Sequence, residues 1–262
     1  MSLASERGRL LRAVRDFFWE RNVCEVDTPL LSPYAPIDRH IDVMSVDGTF
    51  YLHTSPEYAM KKLLCRGSGD IYQLSHVFRK GERGRLHLPE FTMLEWYRLA
   101  FPFDSMVAET LELIELIIGK RPWQRLTYDE AMERFAGGNV FSELVWADLV
   151  EPHLTAHVVT HFPADQAALA KTEEGRALRF EIYVDGIELA NGYDELADSG
   201  ELRRRFEEAN RPELPIDEEL LALLDDLPDC CGVAVGFDRL IMLSIGAASI
   251  AEVYPSHSVM IG

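Results

Sequence analysis

Apolar and polar positions follow two rhythms along this chain. Leu10, Val14, Phe17 and Phe18 recur at i, i+4, i+7 and i+8, the stripe of an amphipathic helix. That helix should stop before "EVDTPLLSP", where two prolines forbid its continuation. A period of two takes over in "DVMSVDGTFYLH" and "FEIYVDGIELAN", each with an Asp-Gly pair between alternating strands, Asp47-Gly48 and Asp185-Gly186. Such pairs are the strongest local signal for a hairpin. Helical spacing predicts further helices at 56–66, 104–118, 200–209 and 217–225. Helices and strands do not alternate regularly, so the pattern predicts an α+β fold, an antiparallel sheet with helices packed on it, over a doubly wound α/β fold. No repeat, low-complexity tract or Gly/Ser linker marks a boundary, and residues 1–262 read as one domain.

Two strands carry polar groups where a core strand would not. In "HLPEFTMLEWYR", residues 87–98, Phe91, Met93, Glu95 and Tyr97 share one face while Thr92, Leu94 and Trp96 share the other. In the second hairpin a two-residue loop pairs Val184 with Ile187 and Tyr183 with Glu188, placing Glu181 on the same face as Glu188 and diagonal to it. Their Cβ atoms should be about 7 Å apart, within joint reach of one hard cation such as magnesium. On that hairpin alone, two ordinary glutamates on a solvated face are the better reading. The next segment, "ELANGYDEL", adds Asn191 and Glu195 and tilts the balance towards a site. Glu188 and Asn191 differ in parity, so a bulge is expected near Ala190-Asn191-Gly192 if both face it.

Composition narrows the chemistry. A formal charge of −18 disfavours wrapping a polyphosphate backbone, although Arg79, Lys80, Arg83 and Arg85 form a local basic loop between two strands. No tract is long and apolar enough to span a bilayer, and the N-terminus lacks a signal peptide's apolar centre. The four cysteines show neither disulfide nor zinc spacing, which fits a reducing cytoplasm. Neither G-x-x-x-x-G-K-[ST] nor G-x-G-x-x-G after a strand is present, so a bound nucleotide must be held by side chains on a sheet. Arg79 follows an apolar strand, and a guanidinium fork suits phosphate. His153, His157 and His161 fall four apart, but "HVVTHFP" is β-branched and proline-ended, favouring a strand over a metal-binding helix. Cys230 and Cys231 read as small core residues, and "DEELLALLDD" as a helix with one solvated face.

Four stretches carry a resemblance: "EVDTPLL", "FRKGERGRLHLPEFTMLEWYR", "FEIYVDGIELANGYDEL" and "GVAVGFDRLIMLSIG". They resemble motif 1, motif 2, the lysine-pocket strand and motif 3 of class II lysyl-tRNA synthetase catalytic domains. "HTSPEYAMKKLL", "HFPADQAALA" and "PDCCGVAVGFDR" are most similar to the freestanding paralogues that lysylate elongation factor P. The resemblance implies a class II synthetase fold with a six-stranded antiparallel sheet, no anticodon-binding domain, and a homodimer built on motif 1. It implies ATP and Mg2+ as cofactors. Arg79 and Arg239 would be the catalytic clamp on the phosphates; Phe91 and Arg239 would sandwich adenine beside His87; Glu181 and Glu188 would hold the metal. Glu57 would receive the substrate's backbone amine, Arg79 and Asn191 its carboxylate, and Glu195 with Tyr97 its side-chain ammonium, supported by Glu95.

The chain departs from the pattern in places. Gly81 stands where the family's F-R-x-E has its glutamate, which Glu82 would replace by a one-residue shift, and Leu88 stands for the usual asparagine. Ser55 and Ala234 follow the paralogues, which in that resemblance would reshape the pocket towards (R)-β-lysine. The implied reaction is ATP-dependent activation of lysine or (R)-β-lysine as an aminoacyl-adenylate, then transfer to a lysine side chain of elongation factor P. A minimal tRNA-charging enzyme and a non-catalytic lysine-binding paralogue are the alternatives. The intact Arg79, Glu181, Glu188, Arg239 set speaks against the last, and the acidic charge against tRNA as partner.

Overall fold

The computed structural model describes residues 2–137, 142–209 and 214–254. Its helices are α1 (Leu3–Glu20), α2 (Glu57–Cys65), α3 (Phe103–Ile118), α4 (Tyr128–Ala136), the single turn α5 (Glu143–Val145), α6 (Ser199–Ala209), α7 (Glu218–Leu224) and α8 (Phe237–Ile245). The strands are β1 (Cys24–Glu25), β2 (Leu31–Ser32), β3 (Met44–Val46), β4 (Phe50–Leu52), β5 (Ile71–Phe78), β6 (Glu90–Leu99), β7 (Gln124–Thr127), β8 (Ala156–Pro163), β9 (Thr172–Glu173), β10 (Arg176–Val184), β11 (Ile187–Asp194) and β12 (Cys230–Gly236). Leu10, Val14, Phe17 and Phe18 are the buried stripe of α1, as their spacing predicts. The helices expected at 56–66, 104–118, 200–209 and 217–225 are α2, α3, α6 and α7.

The main sheet runs β1-β5-β6-β12-β11-β10-β8-β7, with β9 beside β10. Its centre, β5 through β8 in that order, is antiparallel throughout, matching the expected six-stranded sheet. The edges differ from that expectation, because β1 and β7 add on in parallel. A small separate sheet, β2-β4-β3, contains the first hairpin. There Val46 pairs with Phe50, so the Asp47-Gly48 turn is a three-residue loop that includes Thr49. The Asp185-Gly186 turn keeps the two-residue geometry, with Val184 opposite Ile187 and both turn residues at positive φ.

One face of the sheet is sealed. Leu94 and Trp96 of β6, Val233 and Val235 of β12, and Phe180 and Ile182 of β10 pack with α1, α3 and α8 into a single apolar core. Burying that face forces the alternate residues of the same strands onto the other side. There α2, α6 and α7 close one end through Tyr58, Leu64, Leu202 and Leu220, while α4 and Trp146 close the other, leaving a cavity between. Histidines 157 and 161 lie in strand β8, as expected from their β-branched neighbours, and four residues of strand separate them by about 13 Å.

Candidate active site

The open face of the sheet is a grid whose register sets what stands beside what. One row crosses five strands as Gln73, Glu95, Ala234, Asn191 and Glu181. The adjacent row is Ile71, Tyr97, Gly232, Tyr193 and Arg179. Glu188 joins this face opposite Tyr183 because Ile182 pairs with Ala190 while Tyr183 pairs with Glu188, leaving Leu189 as an extra residue. The bulge therefore exists, but at Leu189 and not at Ala190-Asn191-Gly192, where pairing is regular on both sides. Gly192 has a different reason to lack a side chain: a Cβ there would collide with the Phe180 ring on the core face.

All fourteen residues singled out in the sequence line one cavity of about 970 Å³: Ser55, Glu57, Arg79, Glu82, His87, Phe91, Glu95, Tyr97, Glu181, Glu188, Asn191, Glu195, Ala234 and Arg239. The cavity has two chemically different ends.

At one end the carboxylates gather. Glu95 and Glu195 are 3% and 2% exposed, and Tyr97 donates from its hydroxyl to Glu95 Oε1 at 2.7 Å. Glu95 Oε2 is buried with no partner. Leaving a buried carboxylate oxygen unpaired costs free energy, and a cationic ligand would remove that cost. Burial, then the neighbouring Glu57, raises the Glu95 pKa to about 8; burial raises that of Glu195 to about 7, against the pull of a lysine. That lysine, Lys61, escaped the sequence reading. Its Nζ lies 2.8 Å from Glu57 Oε1 and 2.7 Å from Glu195 Oε2, and the residue is 1% exposed. The i, i+4 spacing of Glu57 and Lys61 on α2 was the available signal. Gly232 leaves the room these groups need, since a Cβ there would overlap Glu195 Oε1 and the Tyr97 ring.

At the other end the arginines gather. Arg239, three residues after the end of β12, donates from Nη1 to the Glu188 carbonyl at 2.7 Å and from Nη2 to His87 Nε2 at 2.9 Å. His87 accepts, and burial together with the Arg239 charge lowers its pKa. The Arg79 guanidinium sits 5.1 Å from the centroid of the Phe91 ring. Buried Asp238 fixes this end: it accepts from Arg7 at 2.7 Å and from the backbone N–H of Thr92 at 2.7 Å, locking α1 and β6 to α8. Gly81 has φ +80°, a conformation in which a glutamate would be strained, and Glu82 lines the cavity in its place. Leu88 is buried in the apolar core, so packing anchors the loop at this position.

Between the ends, Glu181 accepts from Tyr183 and from Arg179, a second residue that the sequence reading missed. Arg179 also donates to Asn191 Oδ1 at 3.2 Å and to the Gln166 carbonyl at 2.8 Å. Strand alternation alone places it on the face of Glu181. Burial, and then Glu181, raises the pKa of Glu188 to about 7. Glu181 and Glu188, carboxylates side by side on one face, form a donor pair suited to a divalent cation, which commonly takes one or two carboxylates and completes its shell with phosphate and water.

A cleft with partnered arginines at one end, a carboxylate pair in the middle and a dry anionic pocket at the other, on an antiparallel sheet, is the layout of an enzyme that activates amino acids with ATP. Residues 2–256 match the class II tRNA synthetases (D, K and N), and the chain belongs to that family. Within it, the chain is 39% identical to the elongation factor P–(R)-β-lysine ligases of Salmonella paratyphi B and Salmonella schwarzengrund, over 95% of its own length and 92% of theirs. The ligase of Salmonella dublin matches to the same extent.

Proposed function

We propose that the protein is an ATP-dependent ligase that activates lysine or (R)-β-lysine as an adenylate and transfers it to a lysine side chain of elongation factor P. The observation that carries this reading is the pocket of Glu57, Glu95 and Glu195, with an unpaired buried carboxylate oxygen, opening towards Arg79 and Arg239. A buried anionic pocket selects a cationic side chain, and adjacent arginines select phosphates. The names borne by the relatives support the same substrate and acceptor.

In this reading Glu57 receives the substrate's backbone amine, Glu195 and Tyr97 its side-chain ammonium with Glu95 in support, and Arg79 with Asn191 its carboxylate. Phe91 and Arg239 hold adenine beside His87, with Glu82 reading its edge, while Ser55 and Ala234 shape the pocket for the β-amino isomer. One carboxylate oxygen attacks the α-phosphorus of ATP and pyrophosphate leaves, with Arg79 and Arg239 neutralising charge that develops on the phosphoryl oxygens. Glu181 and Glu188 would hold magnesium, which supplies further neutralisation of phosphate charge. The acceptor's lysine then attacks the acyl carbon as a neutral amine and AMP departs, a deprotonation favoured by entry into a partly dry cleft. Leu31 and Phe50 of the small sheet are exposed, which supports the expected homodimer on motif 1.

The test is incubation of the protein, ATP and labelled lysine isomers with elongation factor P and, separately, with tRNA. Label on elongation factor P with little on tRNA is expected, because a chain of net charge −18 is poorly suited to phosphate contacts. Efficient tRNA charging with elongation factor P unlabelled would replace this reading with that of a minimal tRNA synthetase.

A further inference from the structure

Lys61 is a fully buried charge to which the reaction above gives no role. It stands on α2 with apolar neighbours Met60 and Leu64, both buried, and a methionine or leucine would fill the same position without desolvating an ammonium. Its Nζ instead bridges Glu57, one turn earlier on the same helix, and Glu195, which follows β11. Those two carboxylates raise its proton affinity against the effect of burial, so it stays an ammonium and is not a nucleophile.

Counting charges makes the arrangement specific. Glu57, Glu95 and Glu195 supply three carboxylates, whereas a diamino acid brings two ammonium groups. Without Lys61 one carboxylate would be left over in a site where an unmatched ion is costly. We propose that Lys61 is the pocket's internal counter-ion: it cancels one of three buried carboxylates, so that the remaining charge equals that of a ligand with two ammonium groups. Lys61 is thus a positioning and specificity-determining residue for the amino acid. This inference rests on the reading of the pocket given above.

Lysine-dependent ATP–pyrophosphate exchange separates the two. Wild-type protein without exchange that depends on either lysine or (R)-β-lysine removes the reading of the pocket, whatever Lys61 does, and the isomer that supports exchange is the lysine of the comparison that follows. Given wild-type exchange, Lys61→Met should raise the KM for lysine about 30-fold or more, the scale of unpairing a buried ion, and leave the KM for ATP within about twofold. Adding Glu95→Gln to Lys61→Met restores the charge balance and should recover most of that loss, although Glu95→Gln alone weakens lysine binding. A purely structural lysine predicts additive losses instead. Thermal melts run alongside: a Lys61→Met chain that fails to fold but folds once Glu95→Gln is added supports the counter-ion role. An unchanged KM for lysine in Lys61→Met overturns it, as does a double variant no better than Lys61→Met in both KM and folding.

Discussion

Arg79 and Arg239 remain partly exposed, and at their end of the cavity backbone carbonyls and His87 give Arg239 its partners, whereas Glu95, Glu195 and Lys61 at the other end are almost sealed from water. The same sheet face serves both. The difference lies in what each end leaves unfinished. Guanidinium groups stay charged and tolerate partial solvation, so the arginine end keeps its charge while it waits for a polyanion, although Arg79 Nε is buried without a partner. The carboxylate end is in tension without a ligand: its acids are driven towards their neutral forms, and Glu95 Oε2 has no partner. Selectivity should therefore concentrate at the sealed end, and catalytic power at the solvated one.

The sharpest way to break this contrast is to change the ligand. Norleucine lacks the side-chain ammonium, and pyrophosphate exchange with it should be about 10³-fold or more slower in kcat/KM than with lysine, the penalty for leaving matched buried groups unpaired. Comparable rates would show that the sealed end does not discriminate. In the middle of the cavity, Glu188→Gln should cut exchange about 100-fold, chiefly through kcat, with an unchanged melting temperature. An unaltered rate in that variant removes Glu188 from the metal role. The smallest effect concerns pH. The folded-state pKa values of Glu95 and Glu195 are raised from near 4.5 to about 8 and about 7, so the stability they contribute is complete below 4.5 and is lost as pH rises through the folded values. Between pH 6.5 and 8.5 the ligand-free protein should lose a few degrees of Tm. Lysine supplies the missing counter-charge, so the rise in Tm that it causes should grow over the same window. A lysine-induced shift that shrinks with pH contradicts the assignment.

Much of this site was legible in the sequence because strands impose a period of two. Once Asp185-Gly186 fixed the hairpin, the shared face of Glu181 and Glu188 followed, and the same alternation put Glu95 beside Tyr97. The bulge was legible in kind but not in place: parity demanded an extra residue between Glu188 and Asn191, and nothing local distinguishes Leu189 from Ala190 as that residue. Arg179 and Lys61 stayed hidden for a different reason. Both pair with acids already assigned to ligands, and a lysine in an apolar helical run reads as solvated until tertiary contacts bury it. The parallel edge strands β1 and β7 are only two and four residues long, too short for a period to show.

The row Gln73, Glu95, Ala234, Asn191, Glu181 has a consequence for how the molecule comes into being. Neighbours in that row are drawn from early, middle and late parts of the chain, and β12, from the last part, inserts between β6 and β11 at its centre. Until that strand arrives, the earlier half of the pocket and the later half have no common frame. Closing such distant pairings is the slow part of folding a sheet. A chain released from the ribosome before β12 is synthesised would therefore hold Glu95 without Ala234 beside it and Asn191 without its second strand. The ability to bind the amino acid should thus emerge only once the whole sheet is zipped together, making ligand capture a report on completed folding.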